Sequence, residues 1–441
     1  MRSKHLIKFV LQMFKRHLLN IINKSTLIRP NELRATILSF SFVFLLMTAY
    51  FILRPVRDAM SSDWTDAELS WLWTSTFFFS FIAVSIYGEI ISRIKSGFVV
   101  PGVYVFFAFS FFTFNVFAST ISNTDLVNKC FYVWLSVFSL FHVSVFWSFI
   151  SGLFSQEQAP RLFGFIASGA SIGAIVGPSV PIFFASEVGT MNLLIIAGII
   201  LFVTLPIINS LEKLKVSELG NKSLESEASA QILKKDFLSG FRTLSRDPYL
   251  ITIGLFILFY VVMNTFVYFE LRKFLIDFDR ATRTQIWASI DLAVNILAII
   301  TAVFFTSRIV TRLGMSVTLV LIPIAMILGW LIVAASPFLL ILIGLQILRR
   351  AGNYAVTKPG REMLFTLVNN EARYKVKPVI DIVIYRGGDM LTAWFYTLLT
   401  ATFGFGIAGI SIVASFVAGL WAVTGFYLGK KYNVRGNSSN E

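Results

Sequence analysis

Four cations stand in the tract LQILRRAGNYAVTKPGREMLF, Leu345–Phe365, which continues an apolar run beginning at Pro337. At about 1.5 Å of rise per residue, a helix from Pro337 puts Arg349 and Arg350 near the centre of a bilayer. A charge there costs at least about 2.5–3.5 kcal/mol on insertion scales, so it must face a wet cavity or a partner. Arginine forks suit phosphate and carboxylate, and the chemistry they imply is passage of an anionic solute. Arg350 and Arg361 are eleven residues apart, close to three α-helical turns, which predicts one shared face. Tyr354 falls between them, placed to stack on a planar ligand. Arg349 points about 100° away from Arg350 and is expected to pair with an acid such as Asp291 or Asp381. Lys358, nearer the helix end, can snorkel.

A second charged group closes the first apolar run, FILRPVRDAM. Arg54 and Asp58 are at i and i+4, so they are expected to pair and leave Arg57 for a ligand, with Pro55 loosening the helix. Tyr260, Asn264 and Tyr268 share a face of another run, and Glu270 follows at its end. Asp291 sits about eight residues inside a further run, and Asp381, Arg386 and Asp389 share a third. These acids serve either as counter-ions to the arginines or as a proton or substrate coupling site. No enzyme constellation is present: His5, His17 and His142 are scattered, with no HExxH, cysteine pair or nucleophile elbow. His142 is expected to be an interior residue. No metal site and no cofactor are expected.

The elements that must position these residues are membrane helices. Of the 441 residues, 56% are hydrophobic and only 14% charged, against about a quarter charged in a soluble domain; mean hydropathy is +0.75. The apolar residues fall in blocks of about 20, the length of a membrane-spanning helix. Twelve spans are predicted, at 36–53, 69–90, 98–118, 130–151, 162–186, 190–210, 249–270, 284–306, 314–335, 337–367, 379–402 and 406–428. The net charge of +14 does not imply nucleic acid, because its placement follows topology. One face carries 26 Lys and Arg, including those of both termini and of the 211–248 linker, and the other carries 7. Positive residues mark the cytoplasm, so both ends are expected there.

The linker splits the spans six and six. The expected organisation is a basic N-terminal segment (1–35), a six-helix bundle (36–210), a cytoplasmic linker (211–248), a second six-helix bundle (249–428) and a cytoplasmic tail (429–441). That is the layout of the major facilitator type. Short basic turns, Ser92–Gly97 and Ser307–Gly314, recur at matching places in the two halves. Residues 3–24 alternate basic and apolar at helical spacing, as in an amphipathic helix lying on an anionic leaflet. Gly169, Gly173 and Gly177 recur every four residues of the fifth span and predict a flat face for close helix packing. The single cysteine, Cys130, cannot form an internal disulfide, and no cleavable signal is expected.

Over roughly residues 40–400 the chain resembles the nucleotide transporter family, the ATP/ADP translocases of plastids and intracellular bacteria, in its shorter bacterial branch. The family's Leu-Arg-x-x-Lys-Asp pattern is matched by Leu53, Arg54, Arg57 and Asp58, and its Phe-Trp-x-Phe run by Phe146, Trp147 and Phe149. An acidic–basic turn is matched by Glu157 and Arg161, and an Asp of the eighth helix by Asp291. A basic-x-x-x-Tyr and a Pro-x-Lys-Glu-Met pattern are matched by Arg350, Tyr354, Pro359, Arg361, Glu362 and Met363, and an Ile-Asp by Ile380 and Asp381. The resemblance implies that Arg57 and Arg361 hold the places of two lysines implicated in transport. It also implies that the first, fourth, seventh and tenth helices line a cavity. The family's acid in the fourth helix would fall near Leu135, which is apolar.

The expected function is therefore alternating-access transport of an anion in a bacterial inner membrane, with nucleotide transport or exchange foremost. Arg57, Arg350, Tyr354 and Arg361 are the expected substrate residues. Asp58, Glu270, Asp291, Glu362, Asp381 and Asp389 are the expected coupling or charge-pair residues. One alternative is a proton-coupled transporter of another polyanion, such as a carboxylate siderophore or metabolite. Another is a non-transporting sensor or scaffold on the same fold. The partners expected are the bilayer and a small anion, and a monomer is the expectation.

Overall fold

The computed structural model describes residues 28–93, 96–155, 157–217, 219, 237–368, 376 and 379–438. The amphipathic 3–24 segment and most of the polar linker lie outside them. The described chain is helical, and ten of its helices are long and apolar enough to cross a membrane. One of the ten, Arg280–Ala335, has 56 residues and turns at Gly314, whose φ of +77° only glycine adopts readily. It therefore supplies two spans, and the basic turn expected at Ser307–Gly314 is this break. The segment from Ile380 to Thr402, built on π-helical and α-helical turns, completes twelve.

In the first half the helices are α1 (Leu33–Met60), α2 (Asp66–Arg93), α3 (Ser96–Thr120), α4 (Thr124–Leu153), α5 (Ala159–Val188) and α6 (Leu193–Ser217). In the second they are α7 (Pro248–Phe274), α8 (Arg280–Thr301, with a helical extension to the Gly314 turn), α9 (315–335), α10 (Leu339–Gly352 continuing to Leu364), α11 (380–402) and α12 (Ile407–Ser438). Each set of six packs as one bundle, with α1 against α5 and α6, and α9 against α12. The halves meet along α5 with α8, α1 with α8, and α2 with α11. Large apolar side chains such as Phe78, Phe81, Ile86, Phe183, Phe416 and Val423 remain exposed on the outside, as a lipid-facing surface requires.

The glycines of α5 do pack. A Cβ on Gly169 would lie 2.6 Å from the Phe40 carbonyl oxygen, and one on Gly173 would lie 2.4 Å from that of Phe44. On Gly177 it would lie 2.7 Å from Phe51 Cβ. These obstacles are mostly backbone, which cannot swing aside as a side chain can. Gly173→Ala is expected to cost the roughly 1–3 kcal/mol of stability typical of overpacking and so to lower the thermal unfolding midpoint of the detergent-purified protein. Gly164→Ala, with open space around it, should leave the midpoint unchanged.

α1 differs from expectation at its far end. It passes through Pro55 and continues to Met60, where Ser61 Oγ caps it by donating to the Asp58 carbonyl at 2.6 Å. The span expected to end at residue 53 thus extends by a further two turns and carries Arg54 and Arg57 inside it. The extension is possible because Asp58 and Asp291 offset their charge. At the other end of α1, Glu32 receives Arg161 Nη2 at 2.7 Å and Nη1 at 2.9 Å. Burial pushes the Glu32 carboxyl up, but the bonds from Arg161, the Arg29 amide and Gln158 outweigh it and hold it below the usual value. This ties the entry to α1 to the turn between α4 and α5.

Candidate functional site

A cavity of about 230 Å³ lies between the halves. α1 contributes Tyr50, Arg54, Arg57 and Asp58; α2 contributes Trp73, Thr76 and Phe77; α4 contributes Tyr132, Ser136 and Ser139. From the second half come Asn264 and Tyr268 of α7, Gln346 of α10, and Arg386 and Asp389 of α11. Three arginines and two aspartates thus share a small space with five aromatic rings. The guanidiniums supply bidentate donors for phosphate or carboxylate, and the rings supply flat faces for a planar group.

The arginines are held in different ways. Arg57 donates twice to Asp58 Oδ1, from Nε at 3.0 Å and from Nη2 at 2.7 Å, and once to Ser136 Oγ at 3.2 Å. Its guanidinium also lies 5.4 Å from the centre of the Tyr132 ring. Arg54 stands 3.6 Å from Asp58 and 3.6 Å from Asp291. The pairing read from sequence is therefore reversed: Asp58 is bonded to Arg57, and Arg54 is the looser partner. The reason is that α1 meets α8 along the Arg54 face, where Asp291 offers a second acid. Arg386 donates to Ser139 Oγ across the halves at 3.2 Å.

The α10 residues also depart from the helical-wheel expectation. Arg350, 3% exposed, lies 2.5 Å from Asp291, while Arg349 is fully buried and bonds Gln346 and Tyr260, with no acid within ion-pair distance among the described residues. Asp291, expected beside Arg349, is therefore the partner of Arg350. Arg361 bonds the Tyr385 hydroxyl at 2.7 Å and Glu362 at 2.9 Å, whereas Arg350 meets Asp291. A π-helical turn, Asn353–Thr357, separates them. Its extra residue in the turn slips the register on which the eleven-residue spacing depends. Tyr354 lies within that turn, near the charges of Arg350, Arg54 and Asp291 and outside the cavity wall. Lys358 is exposed, as snorkelling requires.

Of the remaining expected residues, Asp58 and Asp389 line the cavity and Asp291 stands behind it. Glu270 is elsewhere: buried, it accepts a hydrogen bond from Tyr396 near the end of α7. The side chain of Asp381 lies outside the described residues. His142 is buried with its ring stacked 4.4 Å from that of Tyr50.

Above the cavity, on the face opposite the termini, the halves are latched. Asp66 takes Arg272, Lys273 at 3.1 Å and the Thr400 hydroxyl at 2.8 Å. Asp63 takes Arg280 at 2.6 Å and Arg283 at 2.5 Å. Arg272 donates further to the carbonyls of Ser61 and Trp64, at 3.1 and 2.6 Å, and Ser62 Oγ donates to the Arg272 carbonyl at 2.9 Å. Below them, Ser70 pairs with Thr397, Trp394 bonds Thr74, and the hydroxyls of Tyr132 and Tyr268 meet at 3.2 Å. From sequence, the four cations had read as topology charges, and Asp63 and Asp66 gave no signal, since the partners are some two hundred residues apart.

A twelve-helix molecule in two halves, closed at one mouth above a charged central cavity, has the architecture of an alternating-access carrier. The sequence model of the Major Facilitator Superfamily matches residues 39–360. The chain belongs to this superfamily. As a Major Facilitator Superfamily protein it is a membrane transporter rather than an enzyme. Among solved structures it is similar to the nucleoside transporter NupG, with 15% identity and a TM-score of 0.61 over 91% of this chain and 98% of that one. It is also similar to a bacterial homolog of the human lysosomal transporter Spinster in an inward-facing, unoccupied conformation. That match has 13% identity and a TM-score of 0.57 over 92% of this chain and 98% of that one. At these identities the likeness is one of fold. No curated protein matches the chain in sequence.

Proposed function

We propose that this superfamily transporter carries an anionic solute by alternating access, and that the solute is a nucleotide, moved or exchanged across a bacterial inner membrane. The observation that carries the reading is the grouping of Arg54, Arg57 and Arg386 with Tyr50, Trp73, Phe77, Tyr132 and Tyr268 around one cavity. Cations serve the phosphates, and an aromatic face serves the base. NupG, a carrier of nucleosides by its name, adds support for a ligand with a nucleobase. Arg57 is the principal substrate residue. Arg350, Tyr354 and Arg361 follow one another along α10 toward the end that bears the termini, and we place them on the route of the solute. The surplus of Lys and Arg on that end makes it cytoplasmic, so the latched state faces inward. Asp58, Asp291 and Asp389 are the coupling candidates.

A second reading, proton-coupled carriage of a carboxylate polyanion, is favoured by Asp58 and Asp389 lying in the cavity wall itself. The two are separated by uptake of radiolabelled ATP into cells expressing the protein. The nucleotide reading expects accumulation of label and its release on adding unlabelled ADP outside. Absence of ATP uptake both with and without a pH gradient, alongside pH-driven uptake of citrate, overturns it in favour of the second.

A further inference from the structure

Arg349 is the anomaly left by the site. Its side chain is fully buried at the depth of the cavity, and no carboxylate among the described residues lies within ion-pair distance of it. Asp291 is engaged by Arg350 at 2.5 Å and by Arg54 at 3.6 Å. Asp389 has Arg386 as its foremost neighbouring charge, and Arg349 comes after it. Asp381, whose side chain is outside the described residues, precedes Asp389 by eight positions, about 10–12 Å along the helix toward the termini. Among the described side chains around the cavity, five arginines (54, 57, 349, 350 and 386) therefore face three aspartates (58, 291 and 389). Within that described set two positive charges have no matching carboxylate, in a low-dielectric centre where an unpaired charge is strongly disfavoured.

The contact Arg349 does make has a direction. Its Nη2 donates to Gln346 Oε1 at 2.7 Å, and its Nη1 to the Tyr260 hydroxyl at 3.1 Å. Guanidinium only donates, so the Gln346 atom facing it must be the oxygen. The amide nitrogen is then turned away from Arg349, and Gln346 is part of the cavity wall. Arg349 thus occupies one of the two acceptor positions of Oε1 and leaves the amide nitrogen to serve as a donor elsewhere.

We infer that Arg349 is a positioning residue that fixes Gln346 as a hydrogen-bond donor to the solute. We infer also that the two uncompensated charges select solutes carrying two or more negative charges over neutral analogues. This rests on the anionic-solute reading and sharpens it: such a site admits nucleoside phosphates and rejects the bare nucleoside.

The test uses the purified full chain in detergent, with adenosine, AMP, ADP, ATP, pyrophosphate and citrate as probes of binding and of thermal stability. In the wild type, affinity is expected to rise along the series from adenosine to ATP. Arg349→Met removes the charge at similar volume, and Gln346→Glu gives Arg349 a carboxylate. Both are expected to raise the melting temperature of the ligand-free protein and to cut the preference for ATP over adenosine by at least about ten-fold. Gln346→Leu removes the donor and also the oxygen that accepts from Arg349, so it should weaken the phosphate-bearing probes and lower the melting temperature instead of raising it. If Arg349→Met lowers the ligand-free melting temperature, as loss of a paired residue does, or leaves the charge dependence intact, the inference is wrong. Should Gln346→Glu fail to fold, the Arg349→Met arm decides. Failure of the nucleotide reading shows separately: the wild type would then bind citrate and pyrophosphate but no nucleotide, and the melting-temperature and charge-dependence results still decide the role of Arg349.

Discussion

Replacing Arg57 by alanine should lower anion uptake by about 30-fold to 4,000-fold. The range corresponds to the 2–5 kcal/mol lost when one member of a buried, hydrogen-bonded charge pair is truncated. Arg57 is expected to matter more than its neighbours because of what it touches. It makes two bonds to Asp58, one to Ser136 and a cation–π contact with Tyr132, and its guanidinium is still part of the cavity wall. Removing it deletes a donor fork for the solute and leaves Asp58 with the 3.6 Å approach of Arg54 and the Tyr268 hydroxyl at 3.3 Å. These two losses are separable. In the double variant Arg57→Gln with Asp58→Asn the uncompensated carboxylate is gone, so expression and melting temperature should recover while uptake does not. If uptake recovers as well, Arg57 serves only to neutralise Asp58. Arg57→Lys keeps the charge but loses the fork, and an intermediate rate is expected. The measurement is initial-rate uptake in proteoliposomes, normalised to folded protein.

The places where sequence reasoning reached this site, and where it stopped, follow from the range of the interactions. The approach of α5 to α1 was legible because glycine at every fourth position has one physical use inside a membrane helix, and the residues met, Phe40, Phe44 and Phe51, confirm it. The break at Gly314 was legible from its basic flank. That α10 carries buried charge was legible from energetics alone. Which of Arg349 and Arg350 takes Asp291 was not, because a wheel gives the angle between two neighbours and not the direction of α8. The π turn at Asn353–Thr357 leaves no mark on the hydrophobic pattern either, so the common face of Arg350 and Arg361 was drawn on a helix that is not regular there. Arg57 and Asp58 are adjacent in sequence, and the spacing rule for helix surfaces favours i and i+4. Here the long Arg57 side chain reaches its own neighbour because Ser136 and Tyr132 bound it on the far side. The latch was the least legible part. Its acids precede and open α2, and its bases end α7 and open α8, so no local pattern connects them.

Neutralising the latch should have the second large effect, on conformation more than on affinity. Asp66 holds Arg272, which is 1% exposed, as well as Lys273 and Thr400, so Asp66→Asn leaves a buried cation with the carbonyls of Ser61 and Trp64 and the face of Phe269 but no paired carboxylate. Breaking a buried pair from one side costs roughly 3–5 kcal/mol, and the loss falls on the latched state alone, since the halves part when that mouth opens. A shift of that size moves the equilibrium between closed and open mouth by more than about a hundred-fold. Ser70, buried against Thr397 just beneath the latch, supplies the reporter. In a Cys130→Ser background, a cysteine at position 70 should react slowly with a membrane-impermeant maleimide added outside, and much faster once Asp66→Asn is introduced. Asp63→Asn is expected to do less, because Asp63, Arg280 and Arg283 are more exposed to water, where ion pairs are screened. Transport should slow in both variants through the turnover step, with half-saturation little changed, because the cavity wall is untouched. An unchanged maleimide rate in folded Asp66→Asn protein would mean that the aromatic and hydroxyl contacts below, Trp71 with Trp394 and Ser70 with Thr397, close the mouth by themselves. A rate that rises only when Arg272 is also replaced would place the latch on its carbonyl bonds instead of on Asp66.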